Sequence, residues 1–135
     1  MNPEPLPPYR AVFVPANEEE AVRYVELPNP KLGGTDRYLD ELYRLIGVSG
    51  LDSTAVASGV TAWVDDEGLL TGAPVNRRLC EFRDQAAIAA GYRDGHPSPY
   101  PLVGNAVLVG GADDDGDETP VPAWVGSALN ATEEN

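Results

Sequence analysis

Asn76, Arg77 and Arg78 follow Pro74 in the stretch GAPVNRRL, and the two arginines are the only adjacent basic residues in the chain. Guanidinium forks beside a helix start are suited to anion capture, because planar donors and free backbone amides together hold a phosphate or carboxylate. The same arginines weaken the helix they open, since a cation near a helix N-terminus is disfavoured by roughly 0.3–1 kcal/mol. Two readings of the triplet follow. One is a site for a small anionic ligand such as a nucleotide; the plainer one, in an acidic protein, is internal pairing, for example with Asp65, Asp66 or Glu67.

Other residues with chemical potential carry less. DDDGDE at 113–118 alternates carboxylates around a glycine, a pattern that suggests calcium. Its glycine is misplaced for an EF-hand loop and no bidentate Glu follows at the required distance, so a solvated acidic turn is expected and no metal ligand is assigned. His96 stands in a Pro-flanked loop without cysteine and supplies neither a zinc set nor a catalytic pair. Cys80 has no second cysteine to pair with and lies in a helical pattern, which predicts a small packing residue. No G-x-S-x-G, Walker loop, dinucleotide fingerprint or CxxC pair occurs. No catalytic residue and no cofactor is assigned, and the chain is expected not to be an enzyme.

The formal charge is -13, with one lysine, Lys31, against eight arginines. Such a charge repels phosphate backbones and disfavours direct binding to duplex nucleic acid. An acidic excess with little lysine also fits a high-salt or high-GC organism. Residues 72–104, with four basic and three acidic side chains, are the one stretch without an acidic balance, whereas 105–135 carries seven acidic side chains and no basic one. The opening MNPEPLPPYR has no apolar or basic leader and no run is long enough to span a membrane, so a cytoplasmic protein is expected.

These residues must be positioned by a modest number of elements. At 135 residues the chain suits one domain, and 14 Gly with 13 Pro predict many turns. Residues 1–9 form an expected Pro-rich arm, 10–125 a single domain and 126–135 a fraying tail, with Trp124 pinning the tail to the body. RAVFVP (10–15) and AVRYVEL (21–27) predict a hairpin. TDRYLDELYRLIG predicts a helix capped by Thr35 and closed by Gly47, with Tyr38, Leu39, Leu42, Leu45 and Ile46 on its apolar face. LDSTAVA (51–57) and VTAWV (60–64) predict strands with Gly59 between them, DDEG a hairpin turn, and LLT (69–71) the start of a return strand. Asn76 is the expected cap of a helix ended by Gly91, with Leu79, Phe82, Ala86, Ala89 and Ala90 as its stripe. A surface loop at 92–101 and a core strand at 102–111 follow. The predicted fold is α+β, a mostly antiparallel sheet of about five strands with two helices packed on one face.

The order hairpin, helix, strands, acidic-glycine turn, P-x-N-R, helix and G-N-A-V-L-V strand resembles the family of domain of unknown function 3846. LIGVSGLDSTAVA, VDDEGLLTGAPVNRR and VGNAVLVGGADDDG carry the likeness over roughly residues 35–118, and its most specific part is Asp66, Gly68, Pro74, Asn76 and Arg77. The resemblance implies a fold and a genomic context of phages, plasmids and their bacterial hosts, with no defined chemistry.

The leading functional expectation is a non-enzymatic acidic binding protein, an accessory factor of a phage or mobile element that docks on and modulates a host protein. Tyr92, Tyr100 and Trp124, of the residue types that anchor interfaces, are its candidate contacts. The alternatives are an anionic ligand at Asn76, Arg77 and Arg78, or mimicry of nucleic acid by carboxylates lining one elongated face. Self-association through an edge strand would give a dimer, and the sequence leaves the oligomeric state open.

Overall fold

A computed structural model describes residues 7–31, 36–48 and 50–133. Strand β1 (Tyr9–Val14) pairs with β2 (Arg23–Leu27) as the expected hairpin, Val12 opposite Tyr24. Helix α1 (Asp36–Ile46) leads to a second hairpin, β3 (Leu51–Ala57) and β4 (Val60–Asp65). Next come a single helical turn, α2 (Gly68–Thr71), and the long helix α3 (Arg77–Ala89). Strand β5 (Ala106–Gly110) and helix α4 (Ala123–Ala128) complete the order. The five strands form one sheet, β2-β1-β5-β4-β3, antiparallel throughout. The α+β class and the strand count are as the sequence predicts.

The helices are not all on one face. Tyr9, Ala11 and Phe13 of β1 and Val107 and Val109 of β5 pack with Tyr38, Leu42 and Ile46 of α1. The alternate residues Val12, Val14, Ala106 and Leu108 pack with Leu79 and Phe82 of α3 and Val125 of α4. Side chains alternate across a strand, so these clusters lie on opposite faces and α1 and α3 sandwich the sheet. The reason is that every residue of β5 is buried, and a central strand apolar on both sides needs cover on both.

The segment LLT does not return as a strand. β4 already has β3 on one side and β5 on the other, so a strand at 69–71 could not return alongside β4. Residues 68–71 close into a helical turn instead, with Ala73 N–H donating to Gly68 O at 2.9 Å and Gly72 at φ 75° reversing the chain. Leu69 and Leu70 are left exposed.

Helix α1 buries Tyr38, Leu42 and Ile46 of its predicted stripe, half-buries Leu39 and Leu45, and ends before Gly47; its expected cap, Thr35, lies outside the described residues. Helix α3 ends before Gly91 as predicted, but its buried face is Leu79, Phe82, Arg83 and Ala87, while Ala89 and Ala90 face solvent. Tyr9, assigned to the N-terminal arm, is already part of β1. Nor does the tail fray through residue 133. Gly126 packs against Tyr24, and Thr132 pairs in parallel with Arg23. Two 2.9 Å bonds, Tyr24 N–H to Thr132 O and Thr132 N–H to Val22 O, satisfy outer-edge groups of β2 that would otherwise be open. Among the described residues no helix is long and apolar enough to cross a membrane.

Candidate functional site

Pro74, Asn76 and the arginines lie where the chain passes from α2 into α3, and the three polar side chains diverge there. Asn76 turns inward and is 0% exposed. Its Oδ1 accepts from Leu79 N–H at 3.1 Å, the predicted cap, and its Nδ2 donates to Val14 O and to Gly104 O, each at 2.9 Å. Its backbone N–H donates to Leu102 O, and Gly104 N–H donates to Pro74 O. One carboxamide thus joins the end of β1, the loop before β5 and the start of α3. Gly68 belongs to the same junction, since a Cβ there would stand 2.8 Å from Val103 Cγ2.

Arg78 reaches the β1–β2 turn and donates to the carbonyls of Pro15, Asn17 and Glu20 at 2.7–2.9 Å. Internal pairing was the plainer expectation; its partners are backbone carbonyls and not Asp65, Asp66 or Glu67. A turn on a hairpin leaves carbonyls without ladder partners, and a guanidinium supplies charge-assisted donors in a fixed fork. Arg77 is exposed and has no hydrogen bond or ion pair among the described residues. The helix start therefore does not bring Asn76, Arg77 and Arg78 around one ligand.

The three candidate interface aromatics are all exposed, on different elements. Tyr92 follows α3, Tyr100 lies on the loop before β5, and Trp124 sits on α4. Trp124 stacks on Phe82 of α3, ring centroids 5.6 Å apart and planes within 17°, and stays 49% exposed. Of the three, Trp124 lines, with Phe82, an open apolar trough of about 420 Å³ lined also by Ala57, Ala86, Ala89, Ala90 and Ala128. Trp124 does pin the tail to the body, and it presents an edge to solvent as well.

A second concavity, of about 500 Å³, lies between β3, β4, α2, α3 and the loop carrying Tyr100. Thr54 and Val64 form its floor, Leu69 and Leu70 its lip, and Asp52, Asp65 and Asp66 line it with Arg83. Arg83 is 8% exposed. Its one hydrogen bond among the described residues is Nη2 to Tyr100 O at 3.0 Å, and its Nε is buried without an acceptor. Sequence reasoning passed over Arg83, although a signal was present: it stands four residues after Leu79 and four before Ala87, on the stripe that faces the sheet.

The acidic turn grips the protein's one lysine. Lys31 Nζ lies 2.8, 3.1 and 3.4 Å from carboxylate oxygens of Asp117, Asp115 and Asp113. The three carboxylates converge within 4.8 Å of one another, and the ammonium takes the position a cation would need. Hydrogen bonds to Asp117 and then Asp115 hold the Lys31 pKa above its ordinary value. Desolvation pushes Asp113 upward, but N–H bonds from Asp117 and Asp115, with Lys31, outweigh it and lower its pKa. Next to this turn, Glu118 accepts from Tyr38 Oη at 2.7 Å and Trp63 Nε1 at 2.8 Å, fastening α1 to β4. Burial, then the bond to Glu118, raises the Tyr38 pKa. His96 Nδ1 accepts from Ser98 N–H, and Cys80 Sγ packs on the backbone of Leu102.

Acidic side chains stand on both faces of the sheet: Asp40 on α1, and Glu81 and Asp84 on α3. Mimicry of nucleic acid would need carboxylates on one elongated surface, and these three are divided between two faces.

No curated protein and no solved structure matches the chain. A family model, domain of unknown function (DUF3846), matches residues 10–130, a span that takes in all five strands apart from Tyr9, and all four helices. Of the five residues that carry the likeness in the sequence, Gly68, Pro74 and Asn76 build the junction between α2, α3 and the loop before β5, Asp66 bonds back to Gly50 and Arg77 is exposed, and the chain belongs to the DUF3846 family.

Proposed function

We propose that the protein is a non-catalytic binding domain that docks on a second protein through the trough between α3 and α4. The observation that carries this reading is Trp124, half exposed and held flat against Phe82 beside a surface of alanine methyl groups. A rigid aromatic next to a shallow apolar trough is the kind of surface on which a partner's apolar side chain is desolvated. The charge of -13 favours a partner whose flanking residues are basic, and steers its approach. The family resemblance supports an accessory role for a phage or mobile element, with the partner a protein of the bacterial host, and the lone Cys80 suits a reducing cytoplasm.

The test is affinity capture from host lysate at moderate salt with wild type, Trp124→Ala, Ala89→Arg and Tyr92→Ala. A partner held by wild type and Tyr92→Ala but lost from Trp124→Ala and Ala89→Arg is the expected result. Recovery of nothing above background, or of a partner indifferent to both trough substitutions, sinks the reading.

A further inference from the structure

The cleft beside Arg83 has three properties that do not fit a surface built only for stability. Arg83, a residue only 8% exposed, makes one hydrogen bond among the described residues, Nη2 to Tyr100 O, and its buried Nε has no acceptor. Buried charge without a counter-ion is among the costliest arrangements a fold can hold. Aspartates line the same cleft, yet none forms an ion pair with Arg83 among the described residues. The lip exposes two consecutive leucines, and Leu70 at 89% exposure has almost no packing of its own.

We propose that this cleft binds a small zwitterion with an apolar body, an apolar α-amino acid being the simplest case. The carboxylate of the ligand meets Arg83 and supplies the missing counter-ion. Its ammonium faces Asp65 and Asp66, and its side chain covers Leu69 and Leu70. A phosphate or dicarboxylate is disfavoured, because the aspartates that would attract an ammonium repel a second negative charge. The volume of about 500 Å³ falls in the range of small-molecule sites. This cleft and the docking trough share no lining residue.

Calorimetric titration with L-leucine, N-acetyl-L-leucine and isoamylamine tests each part. Saturable binding of leucine is expected, with the acetylated acid and the amine each weaker by about tenfold or more. Arg83→Met should lower leucine affinity by at least about tenfold, and Arg77→Ala should leave it unchanged. Should Arg83→Met fail to fold, Leu70→Ser, at a site with no buried contacts, is expected to weaken leucine several-fold while amide shifts on titration stay confined to residues 65–71 and 98–103. Absence of saturable binding by leucine and by phenylalanine overturns the proposal. So does equal binding of N-acetyl-leucine, undiminished affinity in Arg83→Met, or shift changes centred elsewhere.

Discussion

Helix α3 carries two buried polar side chains that solve the same problem in opposite ways. Asn76, at its start, is 0% exposed and uses its carbonyl and both amide hydrogens within the fold. Arg83, about two turns further on, is nearly as buried but spends a charged group on one carbonyl. A satisfied buried amide fixes a unique arrangement of the chain, whereas an unsatisfied buried cation costs stability and favours anything that brings a counter-charge. The first is how a fold is specified. The second is where a ligand would gain most by entering.

The strongest way to break this contrast is Asn76→Ala. It removes a helix cap and orphans the carbonyls of Val14 and Gly104, and should cost about 3–5 kcal/mol in urea unfolding. Asn76→Asp keeps the cap acceptor but sets an anion against two carbonyls, and should be no better. A loss below about 1 kcal/mol for either would show that Asn76 does not hold the junction.

The adjacent arginines give the next largest effect. Arg78→Ala frees three carbonyls of the β1–β2 turn and should cost about 1–3 kcal/mol, with faster amide exchange in residues 15–20. Arg77→Ala, on an exposed side chain with no partner among the described residues, should stay within about 0.5 kcal/mol. Equal losses would mean that the divergence of the pair in space has no energetic counterpart.

Arg83→Met sharpens the comparison by its sign. Exchanging an unpaired buried cation for an apolar side chain of similar length should raise unfolding free energy by about 1 kcal/mol. A loss comparable to that of Asn76→Ala would make Arg83 a structural residue.

The smallest effect is expected at the Lys31 clip, which is exposed on its rim. A carboxyl whose pKa is lowered on folding stabilises above its unfolded value, ordinarily 3.8 for Asp113, and that contribution disappears as pH falls through the folded value. A raised ammonium contributes fully below its ordinary 10.5 and loses its contribution only as pH rises through the still higher folded value. The difference in Tm between wild type and Lys31→Met should therefore be level from about pH 5 to about pH 10 and shrink on either side. A difference that persists at pH 2 would show that Lys31 acts through packing.

The continuous apolar runs AVFV at 11–14 and AVLV at 106–109 held more information than their strand assignment used. A strand buried on one face alternates, and a run without alternation signals burial on both. The opposed positions of α1 and α3 were thus legible in β1 and β5. The turn at Gly68–Thr71 was not, because LLT has strand chemistry and is excluded from the sheet only by neighbours distant in sequence. The candidate aromatics were legible as exposed types, but that Trp124 alone stacks on another ring beside a trough depends on α4 crossing α3.

By itself the sequence determined much of the local structure: the first hairpin, the strands β3, β4 and β5, the helices α1 and α3 with their stops at Gly47 and Gly91, the Asn76 cap and the family. These follow from periodicity and backbone chemistry, which act over a few residues. Only the tertiary structure decided what the polar groups do. Arg78 serves the turn at 15–20, Lys31 is held by aspartates more than eighty residues away, and Arg83 has no anion among the described residues. A side chain's partner is set by which distant segments the fold brings within about 3 Å, and no local pattern encodes that distance.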